Sequence, residues 1–584
     1  MVKKYNIDDI VYGSVRYGDD TDKVFRFLEE AQLKDKELWK TLVHQFVIKS
    51  DSADCGWRGE FWGKLMRGAC LVYSYTKDTE LYNIVSTTVR ELLAVQDELG
   101  RISTYKVENE FSGWDVWCRK YVMLGLCYFL EICKEEDLKT NIINSLTTQL
   151  DYFMAHVGKG KKEFNETSDI WGCINSYSIL QAIVKIYKLT KEKRYLEYAY
   201  ELIERQDVRG LNLHKVSLEN KIAPFEYSVT KAYETISFFE GLLELYEATG
   251  EEEYKISAEN FANKMLETDF TLVGGSGCFS EQFDNSTKRQ VIPYNKEMQE
   301  TCVTVTVMKF LTQLFLHTGK THYMDAVERC YYNLYSSTIN YDYKINILPV
   351  FLSYSPIIHS VRSIFQGGKK DITPERFYGC CLSIGSAGIG VIPKGGMFIK
   401  DDEIYLNYLS DAEYTVGEDI KFMVTGGYPN AGDLKIKFEK TPIRPIKLKI
   451  RKPAWCEKFS ITGNNLCFEE AEGYIVTEIK EVCEISYSLE MPIKYIVSST
   501  VNEDIDYRVA LMRGPLVLSK DDLRSDDIID FDFNCNYAEE TVKEGINNYT
   551  ITLKNGSKFD LKKYSDCGKK NFNFDCVDVW FKFK

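Results

Sequence analysis

Leu71-Val72-Tyr73-Ser74-Tyr75-Thr76-Lys77, with Tyr82 close behind, sets a pattern that recurs along the first two-thirds of the 584-residue chain. An apolar, amphipathic run ends in an aromatic, a short polar turn follows, and a second helix opens near a tyrosine. Ile183 to Thr190-Lys191 leads to Tyr195, Leu242 to Thr249-Gly250 leads to Tyr254, and Phe310 to Thr318-Gly319 leads to Tyr323. A weaker copy runs from Leu126 to Cys133-Lys134. The glycines suit the left-handed residue that closes a helix. Helix pairs repeated roughly every 55 to 70 residues predict a solenoid closed into a ring, an (α/α)6 toroid. Ring closure is not visible in sequence, so an open helical-repeat scaffold stands as the alternative.

The character changes near residue 395. Met397-Phe398-Ile399-Lys400 and Glu403-Ile404-Tyr405-Leu406-Asn407-Tyr408 read as strands. Short β-branched runs broken by Gly, Pro, Asn and Asp follow, such as Ile420-Lys421-Phe422-Met423-Val424, Ile446-Lys447-Leu448-Lys449-Ile450 and Tyr549-Thr550-Ile551-Thr552-Leu553. The expected fold is therefore multidomain, α then β: a toroid over 1–395, a β-sandwich domain over 396–500, and a second β-sandwich or β-rich domain over 501–584. A single core rarely grows past about 250–300 residues, which agrees with more than one domain.

Bulk properties narrow the partners. The net charge of −14 argues against nucleic acid and anionic membranes, both of which need a basic footprint. Aromatic content is 14%, including 39 Tyr and 8 Trp, which serves large cores and equally serves ring stacking on sugars. Met1-Val2-Lys3-Lys4-Tyr5-Asn6-Ile7-Asp8-Asp9 lacks the apolar stretch of a signal peptide, and no segment is apolar enough to span a bilayer, so a cytoplasmic protein is expected. The 17 cysteines are scattered without a disulfide framework, and buried thiols are expected except where they cluster.

Two clusters stand out before the β region: Glu300-Thr301-Cys302 and Gly379-Cys380-Cys381. Three thiols and a carboxylate make a donor set that suits tetrahedral zinc. Adjacent cysteines rarely join in a disulfide, because the geometry is strained. Spacing alone leaves open that these are unrelated core residues, since no C-x-x-C is present.

With these residues in hand, the chain resembles glycoside hydrolase family 127 and its relatives, the β-L-arabinofuranosidase group. The Glu-Thr-Cys motif is matched by Glu300-Thr301-Cys302, and the Cys-Cys motif after an aromatic turn by Phe377-Tyr378-Gly379-Cys380-Cys381. Ser280-Glu281-Gln282-Phe283 is similar to an upstream Gly-Glu-Ala-Phe segment. Leu448 to Cys456 and Arg508 to Val517 resemble two signatures of the β region. The motifs fall in order from about residue 50 to 520. The resemblance implies a toroid followed by β-sandwiches.

The resemblance also implies a retaining exo-glycosidase with carbohydrate as its partner. Cys380 would be the nucleophile and Glu281 the general acid/base, with Glu300, Cys302, Cys380 and Cys381 holding zinc. Two stretches are dense in residues suited to stacking on and hydrogen-bonding a sugar: Trp57, Arg58, Glu60, Trp62 and Lys64 in one, Trp114, Asp115, Trp117 and Tyr121 in the other. Here the chain departs from the family. Trp114 and Tyr121 stand where histidines are the rule, and another family histidine falls near Glu240. With six histidines in all, the sugar-binding shell must differ, and L-arabinofuranose or a related sugar is the leading expectation. A non-catalytic carbohydrate-binding or scaffold protein with structural zinc, or another (α/α)6 enzyme such as an epimerase or lyase, remains the competing reading. Whether the chain forms a homodimer is left open.

Overall fold

The computed structural model describes residues 10–584 except 55, 280, 293–297, 344–348, 363–367, 419, 499–506, 522, 524–526, 544 and 570–574. Ser280 of the motif around Glu281, and the first nine residues, lie outside the described residues.

Twelve helices build the N-terminal body: α1 (Lys36–Ile48), α2 (Gly59–Thr76), α3 (Thr79–Ala94), α4 (Asp115–Leu130), α5 (Glu136–His156), α6 (Leu180–Thr190), α7 (Lys193–Glu204), α8 (Ala232–Thr249), α9 (Glu252–Thr268), α10 (Thr301–Thr318), α11 (Thr321–Arg329) and α12 (Cys380–Gly390). The even-numbered helices touch in sequence, and α12 returns to pack on α2. The ring is closed, so the chain is a toroid and not the open helical-repeat scaffold. The odd-numbered helices pack outside it. An inner helix is covered on every side, so α2, α4, α8 and α10 are buried around nearly their whole circumference.

The turns that carried the sequence pattern join inner to outer helices, and they are two residues long at α2–α3, α6–α7, α8–α9 and α10–α11. Gly250 and Gly319 cap α8 and α10 in the left-handed conformation, and Lys77 and Lys191 do so for α2 and α6. Outer-to-inner connections are long. The long loops and the N-termini of the inner helices therefore share one mouth of the ring, and the short turns share the other.

A hairpin of β2 (Lys369–Thr373) and β3 (Arg376–Gly379) leads directly into α12. Phe377-Tyr378, expected as part of a turn, lie in strand β3, because they pair across the hairpin with Lys370 and Asp371. After α12 the chain turns to strands: β4 (Met397–Lys400), β5 (Glu403–Leu406), β6 (Ala412–Val416), β7 (Ile420–Thr425), β8 (Asp433–Phe438), β9 (Ile446–Arg451), β10 (Phe459–Gly463), β11 (Glu469–Ala471), β12 (Tyr474–Ile479) and β13 (Glu484–Leu489). They form a five-stranded sheet ordered β11-β12-β9-β5-β4, and a six-stranded sheet in which β1 (Ser14–Tyr17) pairs β6 ahead of β7-β8-β13-β10. Strand β8 alternates exposed and buried residues without a break, the period of a half-buried strand. A third, ten-stranded sheet contains β14 (Ile493–Val497), β15 (Arg508–Arg513), β16 (Leu516–Asp521), β17 (Ile546–Thr552) and β18 (Lys558–Lys563).

The two β-region signatures are seams between bodies. Arg451 of β9 is buried and pairs with Asp325 and Glu328 of α11, and Trp455 Nε1 donates to Glu328 at 3.3 Å. In the β15–β16 hairpin, Asn333 Nδ2 donates to the Pro515 carbonyl at 2.9 Å, and Val517 N donates to Asn333 Oδ1 at 2.8 Å. Among the described residues, no helix is long and apolar enough to cross a membrane.

Candidate active site

The mouth with the long loops gathers the polar residues of the inner helices. Glu60 and Lys64 come from the first turns of α2, Trp117 from α4, Tyr233 and Glu234 from α8, and Cys302 from α10 with Glu300 as its N-cap. Cys380 and Cys381 open α12. Helix N-termini present partial positive charge and favour thiolates and carboxylates, so the ring suits an anionic donor set there.

The two sequence clusters meet. The ligand atoms of Glu300, Cys302, Cys380 and Cys381 all lie within 4.8 Å of one another. Cys302 Sγ and Cys381 Sγ are 3.3 Å apart, Cys381 Sγ and Glu300 Oε1 3.5 Å, Cys380 Sγ and Glu300 Oε1 3.7 Å, and Cys380 Sγ and Cys381 Sγ 3.9 Å. Donors about 2.3 Å (sulfur) and 2.0 Å (oxygen) from a tetrahedral ion lie roughly 3.5–3.8 Å apart, so these edges match a tetrahedron. Burial pushes the Glu300 carboxyl up to about 8, and the neighbouring Cys380 adds to it. Burial also holds the Cys302 thiol well above its ordinary value. Four acids packed this closely cannot all ionise without a cation among them. Glu300 Oε2 is buried and has no partner among the described residues. The donor set, its spacing and this orphaned oxygen all fit a divalent metal.

Beside the cluster lies a cavity of about 350 Å³. Trp57, Trp114, Trp117 and Trp171 line it, with Glu60, Lys64, Lys231, Glu234, Glu281, Glu300 and Cys380. Trp57, Trp114 and Trp117 stand edge to face, with ring centroids 5.9 and 5.7 Å apart. Glu60 accepts from Lys64 Nζ at 2.9 Å and from Trp117 Nε1. Glu281 pairs with Lys231 and accepts from the Tyr354 hydroxyl at 2.5 Å. Its loop is stitched to the start of α8: Ala232 N donates to the Glu281 carbonyl at 3.0 Å, and Phe283 N to the Thr230 carbonyl at 2.7 Å. Gly368 leans over Cys380. A Cβ there would lie 2.7 Å from Cys380 Sγ, so only glycine leaves the thiol room.

Of the residues singled out from sequence, Trp57, Glu60, Lys64, Trp114, Trp117, Glu281, Glu300 and Cys380 line this cavity. The others do not. Arg58 pairs with Asp51 at 2.6 Å and donates to the Asp371 carbonyl. Trp62 is two positions from both Glu60 and Lys64 and so lies on the opposite side of the helix; it packs on Trp39 and donates to Thr88 Oγ1. Asp115 is fully buried, accepting from Ser103 Oγ, Phe111 N and Arg119. Tyr121 lies deeper, its hydroxyl 2.5 Å from that of Tyr233. Glu240, two turns further along α8, pairs with Lys309 and lines a different cavity, shared with the C-terminal turns of the inner helices.

Sequence reading missed Trp171, Lys231, Tyr233, Glu234 and Tyr354. Tyr233-Glu234 carried a usable signal. They occupy the first turn of an inner helix, as Glu60 does, ahead of the repeat unit Leu242 to Tyr254. Trp171 and Tyr354 lie outside the long helices and have no periodic signal.

Residues 19–382 match the profile of the β-L-arabinofuranosidase GH127 catalytic domain. Three solved structures share the fold over nearly the whole chain. One is a GH127 β-arabinofuranosidase (TM-score 0.76, 17% identity, 99% of this chain and 98% of that one). Another is a GH127 β-L-arabinofuranosidase from Geobacillus stearothermophilus T6 (TM-score 0.75, 15% identity, 98% and 100%). A third is described as a glycoside hydrolase (TM-score 0.70, 16% identity, 99% of each chain). No curated protein matches the chain.

Proposed function

We propose, from the premise that this chain belongs to the glycoside hydrolase family 127 β-L-arabinofuranosidases, that its Trp-lined cavity releases β-linked L-arabinofuranose or a related sugar from the end of an oligosaccharide, with retention. The observation that carries the reading is the position of Cys380. It is the one thiol of the cluster that lines the cavity, and Glu281 lines the same cavity. Cys302 and Cys381 are fully buried.

Zinc held by Glu300, Cys302, Cys380 and Cys381 would keep the thiols deprotonated at neutral pH. The rest follows from this chain's own groups. The sugar ring stacks within the Trp57, Trp114, Trp117 and Trp171 walls, which exclude water. Cys380 Sγ attacks the anomeric carbon, while a proton on Glu281 passes to the departing glycosidic oxygen. The C–O bond breaks as the C–S bond forms. In the second half Glu281 takes a proton from water, whose oxygen displaces the Cys380 sulfur. Two inversions give net retention, with a thiol in place of the second carboxylate usual for retaining glycosidases. Lys231 and the Tyr354 hydroxyl fix the Glu281 carboxylate and hold it on the cavity side of its loop.

The test is a panel of aryl glycosides that includes the β-L-arabinofuranoside, run on zinc-loaded protein beside Cys380→Ala, with zinc content measured for both. We expect turnover by wild type only, and a mass increment of one sugar on Cys380 when a slowly hydrolysed substrate is quenched. Full activity in Cys380→Ala would refute the nucleophile. A zinc-loaded wild type inert on every glycoside would favour a structural metal.

A further inference from the structure

We propose that Glu234 is the specificity-determining carboxylate of this cavity, accepting a hydroxyl of the sugar attacked by Cys380. The inference rests on the glycosidase reading above and deepens it.

Four carboxylates line the cavity, and three are engaged. Glu60 is taken by Lys64 and Trp117, Glu281 by Lys231 and Tyr354, and Glu300 by the thiol cluster. Glu234 is 2% exposed, and its Oε2 has no partner among the described residues. Burying a carboxylate oxygen without a donor is costly, and the Glu234 carboxylate lines the cavity, where a ligand can bring that donor. An ionised carboxylate only accepts, so the ligand must bring O–H or N–H groups. Lys64 is engaged by Glu60, and Lys231 by Glu281, so neither cation relieves Glu234.

Position makes the hydroxyl one of the reacting sugar's. Glu234 sits in the first turn of α8, and the Glu281 loop is hydrogen-bonded to the residues immediately before it. A sugar whose glycosidic oxygen reaches Glu281 therefore lies beside the first turn of α8, where Glu234 lines the same cavity. In this chain, carboxylate and tryptophan do the sugar recognition expected of histidine.

The test compares wild type, Glu234→Gln and Glu234→Ala on p-nitrophenyl β-L-arabinofuranoside and on its 2-deoxy and 3-deoxy counterparts. On the parent substrate, kcat/KM should fall about 10- to 100-fold in Glu234→Gln, the range of a lost charge-assisted hydrogen bond. On the deoxy substrate that lacks the partner hydroxyl, wild type and variant should agree within about threefold. Zinc content should be unchanged. A twofold or smaller effect on the parent substrate, or an equal loss on every deoxy substrate, overturns the proposal. Calorimetry of L-arabinose binding to Cys380→Ala and to Cys380→Ala/Glu234→Gln separates this outcome from failure of the hydrolase reading. Weaker binding in the double variant supports the contact even without turnover. Equal binding, or none to either, refutes it.

Discussion

At the scale of single residues, the site depends on which side of a helix each group occupies. Glu60 and Lys64, four positions apart on α2, face the cavity together; Trp62 between them faces the outer layer. Charge and aromatic content alone could not separate them. Glu281 shows the same dependence on context. Its carboxylate is placed by Lys231 and Tyr354, which are 50 and 73 residues away. If Glu281 donates the proton to the leaving oxygen, Glu281→Gln should lower kcat about 10²- to 10⁴-fold on poor leaving groups. The loss should shrink on a dinitrophenyl glycoside, whose leaving group needs no proton. Stopped-flow comparison of the two substrates checks this, and an equal loss on both would remove Glu281 from the acid role.

Among the elements, the closest approach is between inner helices α2 and α4. A Cβ on Gly63 would lie 1.8 Å from the Tyr121 carbonyl oxygen, and one on Gly125 would lie 2.9 Å from Gly63 Cα. Backbone is in the way at both positions, so neither contact can be relieved by a rotamer change. The two helices that bring Glu60, Lys64, Trp114 and Trp117 together are thus set by what glycine permits. Gly63→Ala should cost about 3 kcal/mol, at the upper end of overpacking penalties, and should lower the thermal midpoint by several degrees. A thermal melt that matches wild type would mean the helices separate more freely than their packing implies. The amphipathic repeat made α2 and α4 legible as helices. Their separation depends on a pair of glycines in different repeats, which no periodicity reports.

For the whole molecule, the toroid, the two sandwich sheets and the third sheet are joined by buried polar seams such as Arg451 with Asp325 and Glu328, and by an apolar core in which some titratable groups are buried neutral. His317, at the C-terminal end of α10, is 2% exposed; its Nε2 has no partner among the described residues, and its ring stands edge-on to Tyr246 with centroids 5.3 Å apart. Burial holds its pKa down to about 4. A base depressed in the folded state is stable there as the neutral form. Its contribution is intact above the unfolded value of about 6.5 and is lost as pH falls from there towards 4, to a total of about 3 kcal/mol. His317→Gln should therefore flatten the acid side of the stability curve in that window. Denaturant melts at steps from pH 7 to pH 4 test this, and parallel curves for variant and wild type would refute it.

The sequence by itself determined the helix–turn–helix repeat, the switch to strands near Met397, and the types of donor at Glu300-Thr301-Cys302 and Cys380-Cys381. These are local properties, written in periodicity, turn chemistry and side-chain type. Ring closure, the meeting of two donor pairs separated by 78 residues or more, and the division of the tryptophans and acids into cavity wall and core were decided by tertiary structure alone. Each of these depends on the rotation and spacing of helices that are far apart in the chain. The packing that fixes rotation and spacing is shared among many residues, so no single stretch of sequence encodes it.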